Sequence, residues 1–247
     1  METTHEPQTR TKVQRSPERN AEGRNLSPEK RLGWAGLLSS IATSESAEQL
    51  VVEPLVENFG ADPELKELIE RQAADEVRHY RIFTSYNERV FQFRKTKRTL
   101  TDKIVYDRFL PLMSAVGRRR PQAILLILQF YESFSIEIYK ELKRLAQNDR
   151  LYELAEIIDE TERDEWRHLA GLKRISKATR KGSVTQFDRW LARLITLVLR
   201  FDVHAGPWAL HNKKLRKNLE RIGFDPAIMV RAAAFASART HEFARKG

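Results

Sequence analysis

Two stretches of this chain pair a carboxylate with an imidazole at metal-ligand spacing: Asp75-Glu76-Val77-Arg78-His79 and Asp164-Glu165-Trp166-Arg167-His168. On a helix, a Glu and a His three residues apart stand one turn apart on one face, so both can reach the same point. The copying extends upstream: Glu45-Ser46 stands 17 residues before Asp62, and Glu132-Ser133 stands 17 residues before Asp149. Each of those aspartates opens the run that leads to a Glu-x-x-His. The repeated unit is a helix with one Glu, a short turn, and a helix with Asp-Glu-x-Arg-His. It yields six candidate metal ligands: Glu45, Glu76, His79, Glu132, Glu165 and His168.

An ionised carboxylate buried without a partner is strongly destabilising, so four of them facing one core need compensation. Two divalent cations balance four carboxylates while both imidazoles stay neutral. A single Glu-x-x-His is common by chance and is ordinarily a solvated or core-satisfied pair. Two of them, each preceded by a Glu in the apolar stripe of its own helix, are a far rarer coincidence. The chain has no cysteine, which excludes thiolate zinc sites, iron–sulfur clusters and disulfides. A donor set of Asp, Glu and His suits iron, with manganese as the alternative.

The elements that must position these groups are helical throughout. A first stripe runs Leu38, Ile41, Glu45, Glu48, Val52, Leu55, Phe59, and a second runs Leu65, Ile69, Gln72, Glu76, His79, Phe83, Tyr86, Val90. Ser27-Pro28-Glu29 reads as the start of the first helix and Asp62-Pro63 as the start of the second. Pro54 is expected to kink the first helix. The second is expected to run on to the basic cluster of Arg94, Lys95, Lys97 and Arg98, since cations suit the end of a helix dipole. Thr101-Asp102 then opens a shorter segment, interrupted at Pro111 and closed by Gly117. Two further stripes follow: Leu125, Leu128, Glu132, Ser135, Tyr139, Leu142, and then Leu154, Ile158, Thr161, Glu165, His168, Leu172, Ile175. Beyond Gly182-Ser183 come an apolar segment from Phe187 to Phe201, a basic helix over 207–222, and an Ala-rich helix capped by Asp225-Pro226. No stretch alternates as a strand would, so the expected class is all-α.

The chain divides into a polar, Pro-containing tail at 1–26 that cannot bury enough surface to order itself, a bundle at 27–182, and a helical extension at 183–247 packed on that bundle. No apolar leader and no uncharged apolar run of spanning length occurs, so the chain reads as cytoplasmic. A net charge of +10 on 247 residues points to acidic partners or anionic surfaces. The segment with Phe187, Trp190, Leu191, Leu194 and Val198 opposed by Arg189, Arg193 and Arg200 is amphipathic, which raises peripheral membrane contact.

The set of motifs resembles the ferritin-like di-iron carboxylate superfamily, in which two helices each supply a Glu and two supply Glu-x-x-His inside a four-helix bundle. The resemblance covers about residues 38–177. It implies a long crossover between two helical pairs, for which residues 99–120 serve, and two iron ions that use dioxygen as co-substrate. It also implies that Asp75 and Asp164 each orient the His of the opposite helix. The activity implied is oxygenation: hydroxylation, desaturation or N-oxygenation of an organic substrate. Electrons would come from an external reductase or ferredoxin, because nothing here holds flavin, haem or an iron–sulfur cluster. In such a bundle the clusters at 94–98 and 173–181 lie at opposite ends, which counts against nucleic acid and leaves a local basic surface for an acidic ferredoxin or a carrier-protein-bound substrate. The rival readings are a ferroxidase or iron-storage bundle and a basic bundle that binds membrane or RNA.

Within the first helix, distance to the turn favours Glu48 as ligand and the repeat favours Glu45. Glu45 is chosen, with Glu48 placed beside the centre at the position matching Ser135. Ser135 faces the same core, where a hydroxyl could relay a proton or simply make room. Glu137 is expected off the metal face, His204 and His211 outside the site, and no radical role is assigned to Tyr80 or Tyr131.

Overall fold

The structure is a computed structural model that describes residues 22–94, 107, 110–178, 185–188, 190, 194 and 208–246. The described secondary structure is helical: α1 (Pro28–Phe59), α2 (Pro63–Phe91), α3 (Leu110–Arg119), α4 (Pro121–Asn148), α5 (Tyr152–Ala178), α6 (Trp208–Arg221) and α7 (Pro226–Lys246). The apolar segment 187–201, His204 and most of the 92–109 connection lie wholly or largely outside the described residues. No described helix is long and apolar enough to cross a membrane.

Local chemistry sets most of the boundaries. The Ser27 side chain accepts from Lys30 N at 3.3 Å, and Asp62 Oδ1 accepts from Glu64 N and Leu65 N at 2.9 and 3.3 Å, each before a proline at the first helical position. Asp225 does the same for α7 through Ala227 N at 2.9 Å. The expected extension of α2 into the basic cluster does not occur. Gln92 turns left-handed at φ 55° and its N–H returns to the Asn87 carbonyl, which ends α2 before Arg94. Pro111 stands second in α3 as described, and most of the segment from Thr101 that it was expected to interrupt lies outside the described residues. Gly117 does not close α3 but lies inside it, because a Cβ there would stand 2.9 Å from both Pro54 and Ile124. α1 continues through Pro54.

Contacts between chain ends give the topology. Arg31 at the start of α1 bonds the Val90 carbonyl near the end of α2, so these helices are antiparallel. Arg89 near the end of α2 pairs with Glu153 at the start of α5, and Arg174 near the end of α5 pairs with Glu64 at the start of α2. α2 and α5 therefore end at opposite ends of the bundle. Gly117, just before α4, lies against Pro54 near the end of α1, while Asp149, just after α4, receives Lys30 and Trp34 Nε1 from the start of α1. The order is up, down, down, up, with the connection from α2 to α4 traversing the bundle's length. α3 packs on α1 and α4, α6 on α1, and α7 on α4.

Part of the segment assigned to the N-terminal tail is built into the fold. Glu22 Oε2 accepts from the Tyr86 hydroxyl at 2.8 Å, and Glu22 Oε1 accepts from Glu153 N at 2.7 Å, one of the donors that a helix start leaves open. Composition averages over such a residue and carries no sign of these two long-range bonds. Residues 1–21 lie outside the described residues.

Two apolar clusters fill the bundle. One, with Trp34, Leu38, Phe83, Leu142, Leu154 and Ile158, occupies the end where α1 begins. The other, with Val52, Leu55, Ile69, Leu125, Leu128 and Leu172, occupies the end where α1 finishes. Burial of these side chains drives assembly. Between the two clusters lies a polar layer.

Candidate metal centre

That layer contains all six residues of the duplicated motif. Glu45, Glu76, His79, Glu132, Glu165 and His168 are between 0 and 4% exposed. Their positions follow from the repeat: corresponding residues of α1 and α4, and of α2 and α5, lie at one height in antiparallel pairs. Glu45 Oε2 stands 3.1 Å from His79 Nδ1. Glu132 Oε2 stands 3.4 Å from His168 Nδ1. Glu76 is 3.6 Å from His79 Nδ1 and 3.2 Å from His168 Nδ1, and Glu165 is 4.0 and 3.6 Å from the same two atoms. The two rings lie 6.1 Å apart between centroids. Two carboxylates are thus shared between two imidazoles, and one further carboxylate serves each.

The outward nitrogens meet aspartates of the opposite hairpin. His79 Nε2 is 3.1 Å from Asp164 Oδ2, and His168 Nε2 is 3.3 Å from Asp75 Oδ2. In the metal-free protein both ring nitrogens therefore face carboxylate acceptors, Nδ1 the glutamates and Nε2 the aspartates; a metal taking Nδ1 would displace the proton there while the aspartate keeps the one on Nε2. His168 Nδ1 has carboxylate oxygens of Glu76, Glu132 and Glu165 at 3.2, 3.4 and 3.6 Å, so the nitrogen and three oxygens converge on one point.

Sequence reading did not assign the arginine of each Asp-Glu-x-Arg-His. Arg78 pairs with Asp75 and Asp164, and Arg167 pairs with the same two aspartates, so two cations clamp two anions outside the rings. Recurrence of Arg in both copies was the available signal. Two more groups were missed: Tyr139 OH donates to Glu45 Oε1, and Gln72 Nε2 donates to Glu132 Oε1 at 2.6 Å. Both lie in the apolar stripes, where a polar side chain requires a partner.

The ion pairs of the four glutamates run to the two imidazoles, and two imidazolium charges balance at most half of four carboxylates. The electrostatics reflect the imbalance. Burial together with the neighbouring Glu132 pushes the Glu165 carboxyl well above the usual carboxylate range. Burial would lower His168, but Glu132, Asp75 and Glu165 outweigh it and raise the imidazole well above its ordinary value. His79 is raised against burial by Glu45, Glu165 and Asp164. Glu45 moves the other way: burial opposes ionisation, yet hydrogen bonds with His79, Glu76 and Tyr139 hold its carboxyl below the ordinary value. Asp75 and Asp164 are likewise held low against burial, by their histidine and arginine partners.

Two overlapping groups, Glu76 with Glu132, Glu165 and His168, and Glu76 with Glu45 and His79, bring ligand atoms within 4.8 Å of one another and could hold a metal ion. The all-oxygen-and-nitrogen donor set, its burial and its surplus of anionic groups fit divalent cations. Ser135 does not join the cluster: it is half-buried and makes no hydrogen bond to it among the described residues. The residue of α4 whose hydroxyl reaches the cluster is instead Tyr139, seven residues beyond Glu132. Glu137 pairs with Lys140 at 2.6 Å, off the cluster. Tyr80 is 40% exposed. The side chains of Glu48 and His211 lie outside the described residues. α7 roofs a separate cleft of about 390 Å³ beside Gln129, Trp166, Leu169, Arg239 and Phe243, and none of the six residues lines it. No family model, curated protein or solved structure matches this chain, so the chemistry of the centre rests on its own atoms.

Proposed function

We propose that this protein is a non-haem di-iron, dioxygen-dependent oxidoreductase of the ferritin-like carboxylate type, oxidising an organic substrate with electrons from a separate reductase or ferredoxin. One observation carries the reading: Glu76 and Glu165 each lie within 4.0 Å of both imidazoles, the pattern of a centre for two metals rather than one. The up-down-down-up order with a single long crossover is the connectivity of ferritin-like bundles, which supports it further. Iron, or manganese in its place, would supply the activation of dioxygen that no side chain can provide.

The chain's own part is to hold and insulate. Glu45 and His79 would hold one metal, Glu132 and His168 the other, with Glu76 and Glu165 between them. Asp75 and Asp164 keep each imidazole proton on the outer nitrogen, and Arg78 and Arg167 keep those aspartates ionised and in place. The apolar clusters on either side exclude water and fix the helices that carry the donors.

Reconstitution with ferrous iron tests the reading. The expected result is about two irons per folded chain and dioxygen consumption that requires added reductant. A folded protein that retains one iron or none would sink it. Iron accumulating far beyond that ratio, without an oxidised organic product, would favour the ferroxidase reading.

A further inference from the structure

A cleft of about 210 Å³ opens between α2 and α5, lined by residues of these two helices alone. Its inner wall includes Gln72, which donates to Glu132, and His168, so it reaches the groups that would hold the second metal. Its lining is cationic, with Arg71, Arg167 and Arg174 against the single acid Asp75. Asp75 is already bound to Arg78, Arg167 and His168. Arg174 makes a surface pair with Glu64 at 3.4 Å, and Arg71 makes no ion pair among the described residues.

The cleft is kept open by a glycine. Gly171 lies in the interior of α5, where glycine is less favourable than alanine. It has no packing reason to be there, since a Cβ at Gly171 would meet nothing within 4 Å. A large side chain at this position would project into the cleft. A cationic mouth repels ferrous ion and attracts anions, and guanidinium forks match carboxylate or phosphate oxygens.

We infer that this cleft admits a small organic anion, with a carboxylate or phosphate head held by Arg71 and Arg174 and its other end directed at Gln72 and His168. The inference rests on the metal centre proposed above and names the substrate class of that centre.

Cobalt(II)-substituted protein separates the two. Its visible absorption reports metal binding before any anion is added. Benzoate and phenyl phosphate are then titrated, with benzyl alcohol as the neutral control and inorganic phosphate as the control without an organic body. The expected result is saturable perturbation of the cobalt bands by benzoate or phenyl phosphate and none by benzyl alcohol, and the stronger of the two anions identifies the head group. Arg71→Ala and Arg174→Ala should each weaken binding about tenfold, and Gly171→Phe should abolish it, with cobalt stoichiometry unchanged in all three. If cobalt binds but the alcohol acts like the anions, inorganic phosphate matches the organic anions, or Gly171→Phe binds like wild type, the cleft inference is overturned and the metal centre stands. If cobalt does not bind to the folded protein, both fall.

Discussion

Glu45 in the first hairpin and Glu132 in the second occupy corresponding positions of the repeat, yet they are held by different groups. Glu45 faces an imidazole at 3.1 Å and the Tyr139 hydroxyl, and its carboxyl is held below the ordinary value. Glu132 takes a neutral amide hydrogen from Gln72 and stands close enough to Glu165 to push that carboxyl up. The residue matching Tyr139 in α1 is Val52, and the residue matching Gln72 in α5 is Thr161, which bonds the Ile157 carbonyl instead. The outer ends differ too. Asp62 caps α2, whereas its counterpart Asp149 receives Lys30 and Trp34, and the start of α5 is served by Glu22. A duplicated motif has kept its six donors and its two Asp–Arg clamps while its supports diverged. Glu45 is held as an anion, while Glu165 and both imidazoles hold protons more tightly than usual, His168 well above its ordinary value.

The strongest way to break this comparison is to remove a shared group. Glu76→Ala should cost metal in both halves, whereas Glu45→Ala and Glu132→Ala should each cost it chiefly in one. Elemental analysis of reconstituted variants reads the difference, and equal losses from all three would mean that the halves are not separable. In metal-free protein the Glu165→Gln variant should melt higher than wild type, because it removes a buried carboxyl that is costly to ionise, by about 1–3 kcal/mol at neutral pH.

Next in size are the aspartates. Asp164→Asn and Asp75→Asn should weaken metal at His79 and His168 respectively, each by about 10–100-fold. Competition with a coloured chelator measures both, and an unchanged affinity in either would remove the orienting role assigned to that aspartate.

Protons sharpen the contrast further. His79, His168 and Glu165 have raised values in the folded state, so the metal-free protein binds more protons than the unfolded chain, and their contribution to stability is lost as pH rises through those values. Glu45, Asp75 and Asp164 are lowered, so theirs is present above the ordinary carboxylate range and lost as pH falls toward the folded values. Metal-free protein should therefore be most stable in mildly acidic solution, with the alkaline loss reversed by metal. Thermal melts in chelator from pH 4 to 9 test this, and a flat profile would contradict it. Metal binding should release protons, more of them at the second half, which calorimetry in buffers of different ionisation enthalpy can count.

Of similar size are the effects of the neutral supports. Tyr139→Phe and Gln72→Leu each remove one hydrogen bond to a buried carboxylate, worth about 1.5–3 kcal/mol. The first should weaken metal at the Glu45 half and the second at the Glu132 half. Site-resolved cobalt spectra distinguish them, and identical responses would show that the divergence of supports has no consequence.

Much of this arrangement was legible in the residues themselves. Period 3.6 stripes carrying Glu45, Glu76, His79, Glu132, Glu165 and His168 fixed which helix faces turn inward, because an apolar stripe has only one direction in which it can be buried. Capping residues such as Ser27, Asp62 and Asp225 set the helix starts because they satisfy donors within three residues of themselves. Those are local interactions, and local sequence contains them. The reach of Tyr139 to Glu45, of Gln72 to Glu132, and of Glu22 to Tyr86 and α5 was not legible, since each joins residues at least 60 positions apart. The same holds for Gly117, whose reason is the approach of Pro54 and Ile124, and for the end of α2 at Gln92, where a left-handed turn overrode the basic residues beyond it. Sequence determined which groups would be buried and at what height. Tertiary structure decided which of them share a neighbour and how tightly each holds its proton, because distance and desolvation arise only when the helices pack.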